Sequence, residues 1–169
     1  MNLEKKCYVE LSQLNLYGYN LLCLSYITAS HDHYGDGLEM EVFGPLLLAF
    51  QKGKDLICIE LKSKPVTIDG EVSGNILTID AFMPASTEDY LSRCYASSII
   101  VYHPDTQQRV VPLGEVLRFQ NEEGHTVSLL IEFGGGVGMS FIVNDDTHHI
   151  QMVFKRSGLF YATAVNSLA

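Results

Sequence analysis

A chain of 169 residues that is 47% apolar and only 18% charged carries enough apolar surface to offset its conformational entropy, so intrinsic disorder is excluded and one domain over residues 1–169 is the simplest organisation. Its longest apolar stretches, such as residues 45–50 and 128–131, are strand-sized, and no apolar run reaches the roughly 18 residues of a membrane-spanning helix. With 20 acidic against 11 basic residues the net charge is −9, a balance that repels phosphate backbones and anionic lipid and speaks against nucleic-acid or membrane binding.

Short apolar runs with polar turns between them carry most of the local signal. Residues 46–51 are apolar, residues 52–55 (Lys-Gly-Lys-Asp) turn, and residues 56–61 alternate, which is a hairpin pattern. Residues 66–68 meet Asp69 and Gly70, a strong two-residue hairpin signal that leads to Glu71 and Val72, and Gly74 and Asn75 then introduce a strand over residues 76–82. Residues 86–96 (STEDYLSRCYA) hold the best helix signal. Ser86 is placed to cap it, Glu88 and Asp89 put acids in the first turn, and Tyr90, Leu91 and Cys94 recur at the spacing of one helical face. Further strands are expected over residues 116–120, 126–133, 139–143, 148–154 and 159–164, with turns at 121–124, 144–146 and 157–158. Tight turns favour antiparallel pairing over crossovers. The expected fold is mainly β, an antiparallel sandwich or open barrel with one or two short helices; the alternative is α+β with a larger helical share in the first twenty residues.

Cys7, Cys23, Cys58 and Cys94 include no C-x-x-C pair, which removes support for zinc, redox or iron–sulfur motifs. Cys23 and Cys58 lie in apolar runs, where buried free thiols are common. Residues 1–11 lack the apolar core of a secretory signal, so a reducing cytoplasmic setting is expected.

Four stretches are candidates for function. His31, Asp32, His33, Tyr34, Gly35, Asp36, Gly37, Leu38 and Glu39 come first. Two histidines at i and i+2 of a strand point the same way and can grip one metal, with a carboxylate completing the shell. His31, His33 and Glu39 resemble the first metal motif of the cupin family, although the spacer before Glu39 is one residue too long and Leu38 stands where the glutamate belongs. Gly35 and Gly37 read as turn residues, so the stretch is expected to be a loop between Ile27 and Met40. A calcium loop beginning at Asp32 fails, because its third and twelfth positions are Tyr34 and Phe43. In the second stretch, Asp145, Asp146, Thr147, His148 and His149, adjacent histidines on a strand would face opposite sides, and one of them is expected to be buried and hydrogen-bonded. The third, Gly134, Gly135, Gly136, Val137 and Gly138, has no following Gly-Lys-Ser/Thr and no following helix, so it reads as a hairpin connection or bulge rather than a phosphate loop. No nucleophile elbow occurs, and no catalytic residue and no cofactor are expected.

The fourth feature is the distribution of charge. Between Lys6 and Lys52 the only charged residues are acidic, and the same holds between Lys64 and Arg93 and between Arg118 and Lys155. The chain holds nine Tyr, of which Tyr17, Tyr19, Tyr26 and Tyr34 lie beside the first window. Carboxylates with tyrosines suit the gripping of a basic protein, because tyrosine anchors an interface at low entropic cost. The expected contacts are Asp32, Tyr34, Asp36, Glu39 and Glu41, then Glu122, Glu123, Asp145 and Asp146. In profile the chain resembles immunity proteins of bacterial type, which neutralise a toxin domain, often a nuclease with a positively charged cleft. That resemblance implies a non-enzymatic partner-binding module. The alternatives are a metal- or ligand-binding β-barrel using His31, His33 and Glu39, and a homo-oligomeric subunit pairing through an edge strand.

Overall fold

The computed structural model describes residues 16–34, 37–103, 106, 108–113, 116–134, 137–155 and 161–165, with backbone only for 31–34, 37–38, 155 and 161–165. Cys7, Asp36, Gly35, Gly135 and Gly136 lie outside the described residues, as does most of the N-terminal stretch read above as a possible helix. The chain forms strands β1 (Asn20–Tyr34), β2 (Gly37–Lys52), β3 (Asp55–Ile68) and β4 (Glu71–Phe82), helix α1 (Thr87–Arg93), and strands β5 (Ser97–Tyr102), β6 (Leu117–Gln120), β7 (Thr126–Gly134), β8 (Val137–Val143), β9 (Ile150–Lys155) and β10 (Tyr161–Val165). Among the described residues it is mainly β: one antiparallel sheet curled into a half-barrel, with one short helix. No described helix is long and apolar enough to cross a membrane.

The sheet runs β10-β5-β1-β2-β9-β8-β7-β6 and forks at β2. On one side β2 pairs with β1 along nearly its whole length. On the other, Leu38–Val42 pair with β9, while Leu46–Lys52 pair with β3. Gly44 and Pro45 stand at the changeover, where the β1 ladder also shifts register beside Ile27. Proline has no N–H to give a ladder, so it fits where the strand exchanges one neighbour for another. Gly44 takes a φ of +92°, a left-handed setting that a side chain resists.

Burial along β2 follows from the fork. Met40 and Val42 are buried while Glu41 and Phe43 on the other face are half-exposed, the alternation of a strand with one wet face. Beyond the fork, residues 46–50 are all buried. Leu46, Leu48 and Phe50 join the main core with Leu24, Ile59, Leu61, Phe141 and Phe154, whereas Leu47 and Ala49 meet Cys23, Cys58 and Tyr90 in a second layer under α1. The run reads as continuously apolar because both of its faces are covered.

Helix α1 forms where the sequence places it. Ser86 Oγ accepts the Asp89 N–H at 3.0 Å, and Asp89 Oδ2 accepts the Ala85 N–H at 2.8 Å, a reciprocal cap. Tyr90 is its buried residue; Leu91 is exposed and does not share that face, because the seven-residue helix turns too briefly to bury a second row. The Tyr90 hydroxyl lies 3.0 Å from Cys23 Sγ. Burial drives the Cys23 thiol from its ordinary 9.0 up to about 11, opposed by the bond to Tyr90, and drives Cys58 up to about 12. Both are free thiols, as their apolar settings suggest.

Two expectations change. The stretch around His31 and His33 is not a loop: β1 continues to Tyr34, and the register sets His31 opposite Met40, Asp32 opposite Glu39 and His33 opposite Leu38. Its polar residues are tolerated because this half of the sheet keeps one face open, as exposed Thr28 and Ser30 show. The Asp69-Gly70 turn forms as expected, both residues with positive φ, but Gly74 and Asn75 do not start a new strand. They sit inside β4, just past a bulge where Ser73 is the extra residue opposite Val66 and Thr67.

Gly44→Ala should lower stability by about 1–2 kcal/mol in urea unfolding through left-handed strain alone, since the added Cβ would come no nearer than 3.7 Å to Ile27. The thiols set an alkaline limit. Their pKa values are higher folded than unfolded, so their contribution is complete below pH 9.0 and is lost as pH rises toward about 11 to 12. Replacing Cys23 and Cys58 together by Ala should flatten the fall of the urea midpoint over that window.

Candidate functional site

The most built feature of the described surface lies where three hairpin ends meet. Past Leu61, strand β3 has no β2 neighbour, and with β4 it continues as a two-stranded arm to the Asp69-Gly70 turn. The free edge of β4 packs against β7 and β8 without a backbone ladder. Here the β6–β7 and β8–β9 turns rise beside it, enclosing a cleft of roughly 380 Å³. Val66, Val127, Ile142 and Val143 give it apolar walls; Ser73, Asn75, Asn121, Glu123, His125 and Asp145 give it polar groups.

Both turns are built in the same way. Asn121 Oδ1 accepts the N–H groups of Glu123 and His125, each at 3.0 Å. Asn144 Oδ1 accepts those of Asp146 at 2.9 Å and Thr147 at 3.3 Å. An asparagine at the turn entrance thus serves two loop N–H groups, and main-chain bonds such as Gly124 N–H to the Asn121 carbonyl and His148 N–H to the Asn144 carbonyl serve others. The side chains of Glu122, Glu123, Asp145 and Asp146 are spared that task.

Asp145 has a different one. Its Oδ1 accepts the Asn75 backbone N–H at 2.9 Å and sits 3.5 Å from Asn75 Nδ2. Asn75 Nδ2 lies 2.7 Å from His148 Nδ1, which therefore accepts. The cluster joins the β4 arm to the β8–β9 turn at a seam with no ladder. Asn75 is only 4% exposed, and its Oδ1 is buried without a hydrogen-bond partner. Such an acceptor normally costs about 1–3 kcal/mol to leave unpaired.

The second acidic group lies on the outer face of β2 and β9. Glu39 Oε1 accepts from Gln151 Nε2. Glu41 Oε1 lies 3.2 Å from His149 Nδ1, and the His149 ring meets Phe43 edge-on at 4.5 Å between centroids. The β8–β9 turn connects the two groups: His149 touches Glu41 on one side of it and Asp145 touches Asn75 on the other. Neither histidine is buried. His148 lies in the turn with φ +64°, and β9 starts at Ile150, so the expected strand alternation of the two residues does not arise.

The site residues read from the sequence thus divide. Glu123 and Asp145 meet at the cleft, Glu122 and Asp146 stand exposed on its turns, and Glu39 and Glu41 lie on the outer face. The side chains of His31, Asp32, His33 and Tyr34 and all of Asp36 lie outside the description, but the register sets Glu39 opposite Asp32, one position out of step with both histidines. No three His, Cys, Asp or Glu side chains group closely enough for a metal among the described residues. Asn75, which bonds to both Asp145 and His148 of the β8–β9 turn, was signalled only by a Gly-Asn pair inside an alternating run.

Comparison with known protein families, with curated proteins and with solved structures finds no match for this chain.

Asn75→Ala and Asp145→Ala should each lower stability by about 1–3 kcal/mol. In a double-mutant cycle the pair should cost less than the sum of the singles, by at least about 0.5 kcal/mol. Denaturant unfolding measures the energies, and faster amide exchange in β4 in either variant would locate the loss at the seam.

Proposed function

We propose that this protein is a non-enzymatic module that binds a basic protein, and that it acts as an immunity- or antitoxin-type partner covering a positively charged functional surface. One observation carries the reading: Glu123 and Asp145, from different turns, converge on a cleft that no Lys or Arg lines among the described residues. The turn backbones make no use of Glu122, Glu123 and Asp146, which leaves these acids available to a partner. Glu41 and Glu39, across the β8–β9 turn, extend the same sign of charge. Low-dielectric walls focus such a field and speed the approach of a basic surface.

The test uses the full chain as bait in lysate of its own source cells. A basic protein should be retained in stoichiometric amount. Its association rate should fall at least tenfold between about 0.05 and 0.5 M salt, because a Debye length near 10 Å at 0.1 M shrinks to near 3 Å at 1 M. Reversal of Glu122, Glu123 and Asp146 to Lys should abolish retention with the fold intact by circular dichroism. Retention of no basic protein, or equal retention by the reversed variant, refutes the proposal.

A further inference from the structure

The cleft is rich in acceptors. Glu123 and Asp145 line it with carboxylates from two different turns. Whatever fills the cleft must bring several N–H groups, a positive charge and a stem that tolerates Val127 and Ile142.

We propose that the cleft receives the guanidinium of one arginine side chain of the partner, an inference that rests on the protein-binding reading of this same site. A guanidinium presents five donors in a rigid planar fork, stays charged at every relevant pH and is weakly hydrated, so it loses little on entering a half-apolar cleft. A lysine ammonium concentrates its charge on one strongly hydrated atom and reaches fewer separated acceptors. Arginines also dominate the tightly held positions of protein interfaces.

The experiment is a nitrogen–proton NMR titration of the full chain with N-acetyl-arginine N-methylamide, and with its citrulline and lysine counterparts. Citrulline keeps the shape of arginine without the charge. The arginine compound should move the Gly74, Asn75 and Asp145 signals in one saturable curve. The citrulline compound should bind at least tenfold more weakly and the lysine compound at least fivefold more weakly. E123Q, on an exposed turn closed by Asn121, should keep the spectrum of the folded chain and weaken arginine at least fivefold; E88Q on α1 should leave it unchanged. Equal binding of citrulline or lysine, shifts that avoid the cleft, or an unaffected E123Q overturns the inference. Saturable arginine binding by a protein that retains no basic partner would sink the protein-binding reading and leave the cleft assignment standing. A retained partner indifferent to E123Q would do the reverse.

Discussion

Strand β2 has one edge to offer and two neighbours that use it. A backbone N–H serves one ladder at a time, so β9 and β3 divide the edge between them at Gly44 and Pro45. Once β9 holds the first half, β3 can join only beyond the fork, and its continuation past Leu61 has to leave the sheet as an arm with β4. The arm then leans on β7 and β8 across a seam with no ladder. The curl of the sheet, the position of the cleft and the need for a side-chain tie at Asn75 all descend from that division.

The seam also explains why polar chemistry accumulates there. Elsewhere the sheet closes with main-chain bonds and apolar contacts, and Leu46, Leu48, Phe50, Ile59, Phe141 and Phe154 make the interior. Between β4 and the β8–β9 turn there is no regular pairing, so backbone and side-chain groups must find partners individually. Asp145 Oδ1 serves two donors of Asn75, its backbone N–H and its side-chain amide, and His148 accepts from that amide as well. The amide oxygen is what this arrangement leaves over.

Much of the fold was legible because its signals are local. The Lys52–Asp55 hairpin, the Asp69-Gly70 turn, the cap at Ser86 and the strands from β6 onward depend on residues within a few positions of one another. The polar end of β1 was not legible, since Ser30, His31, Asp32 and His33 become a strand only through pairing with β2. The apolar run at residues 46–50 was visible, but its cause was not: the helix that covers its outer face is forty residues away in sequence. The same holds for the cleft. Glu123 and Asp145 stood out as charges on turns, whereas Asn75 is an ordinary residue until the arm brings it to Asp145, 70 positions on.

Asn121 and Asn144 have a consequence that reaches past this one chain. Each turn is held by its asparagine's amide oxygen and by main-chain bonds, none of which uses the side chains of residues 122, 123 and 146. Positions 122, 123 and 146 can change sign, size or hydrogen-bonding character while the scaffold beneath is untouched. Position 145 cannot, because Asp145 is tied to the arm. Drift is therefore free at three of the four acidic positions and restrained at the fourth, which is the arrangement that lets descendants of one fold exchange their recognition surface without first having to refold it.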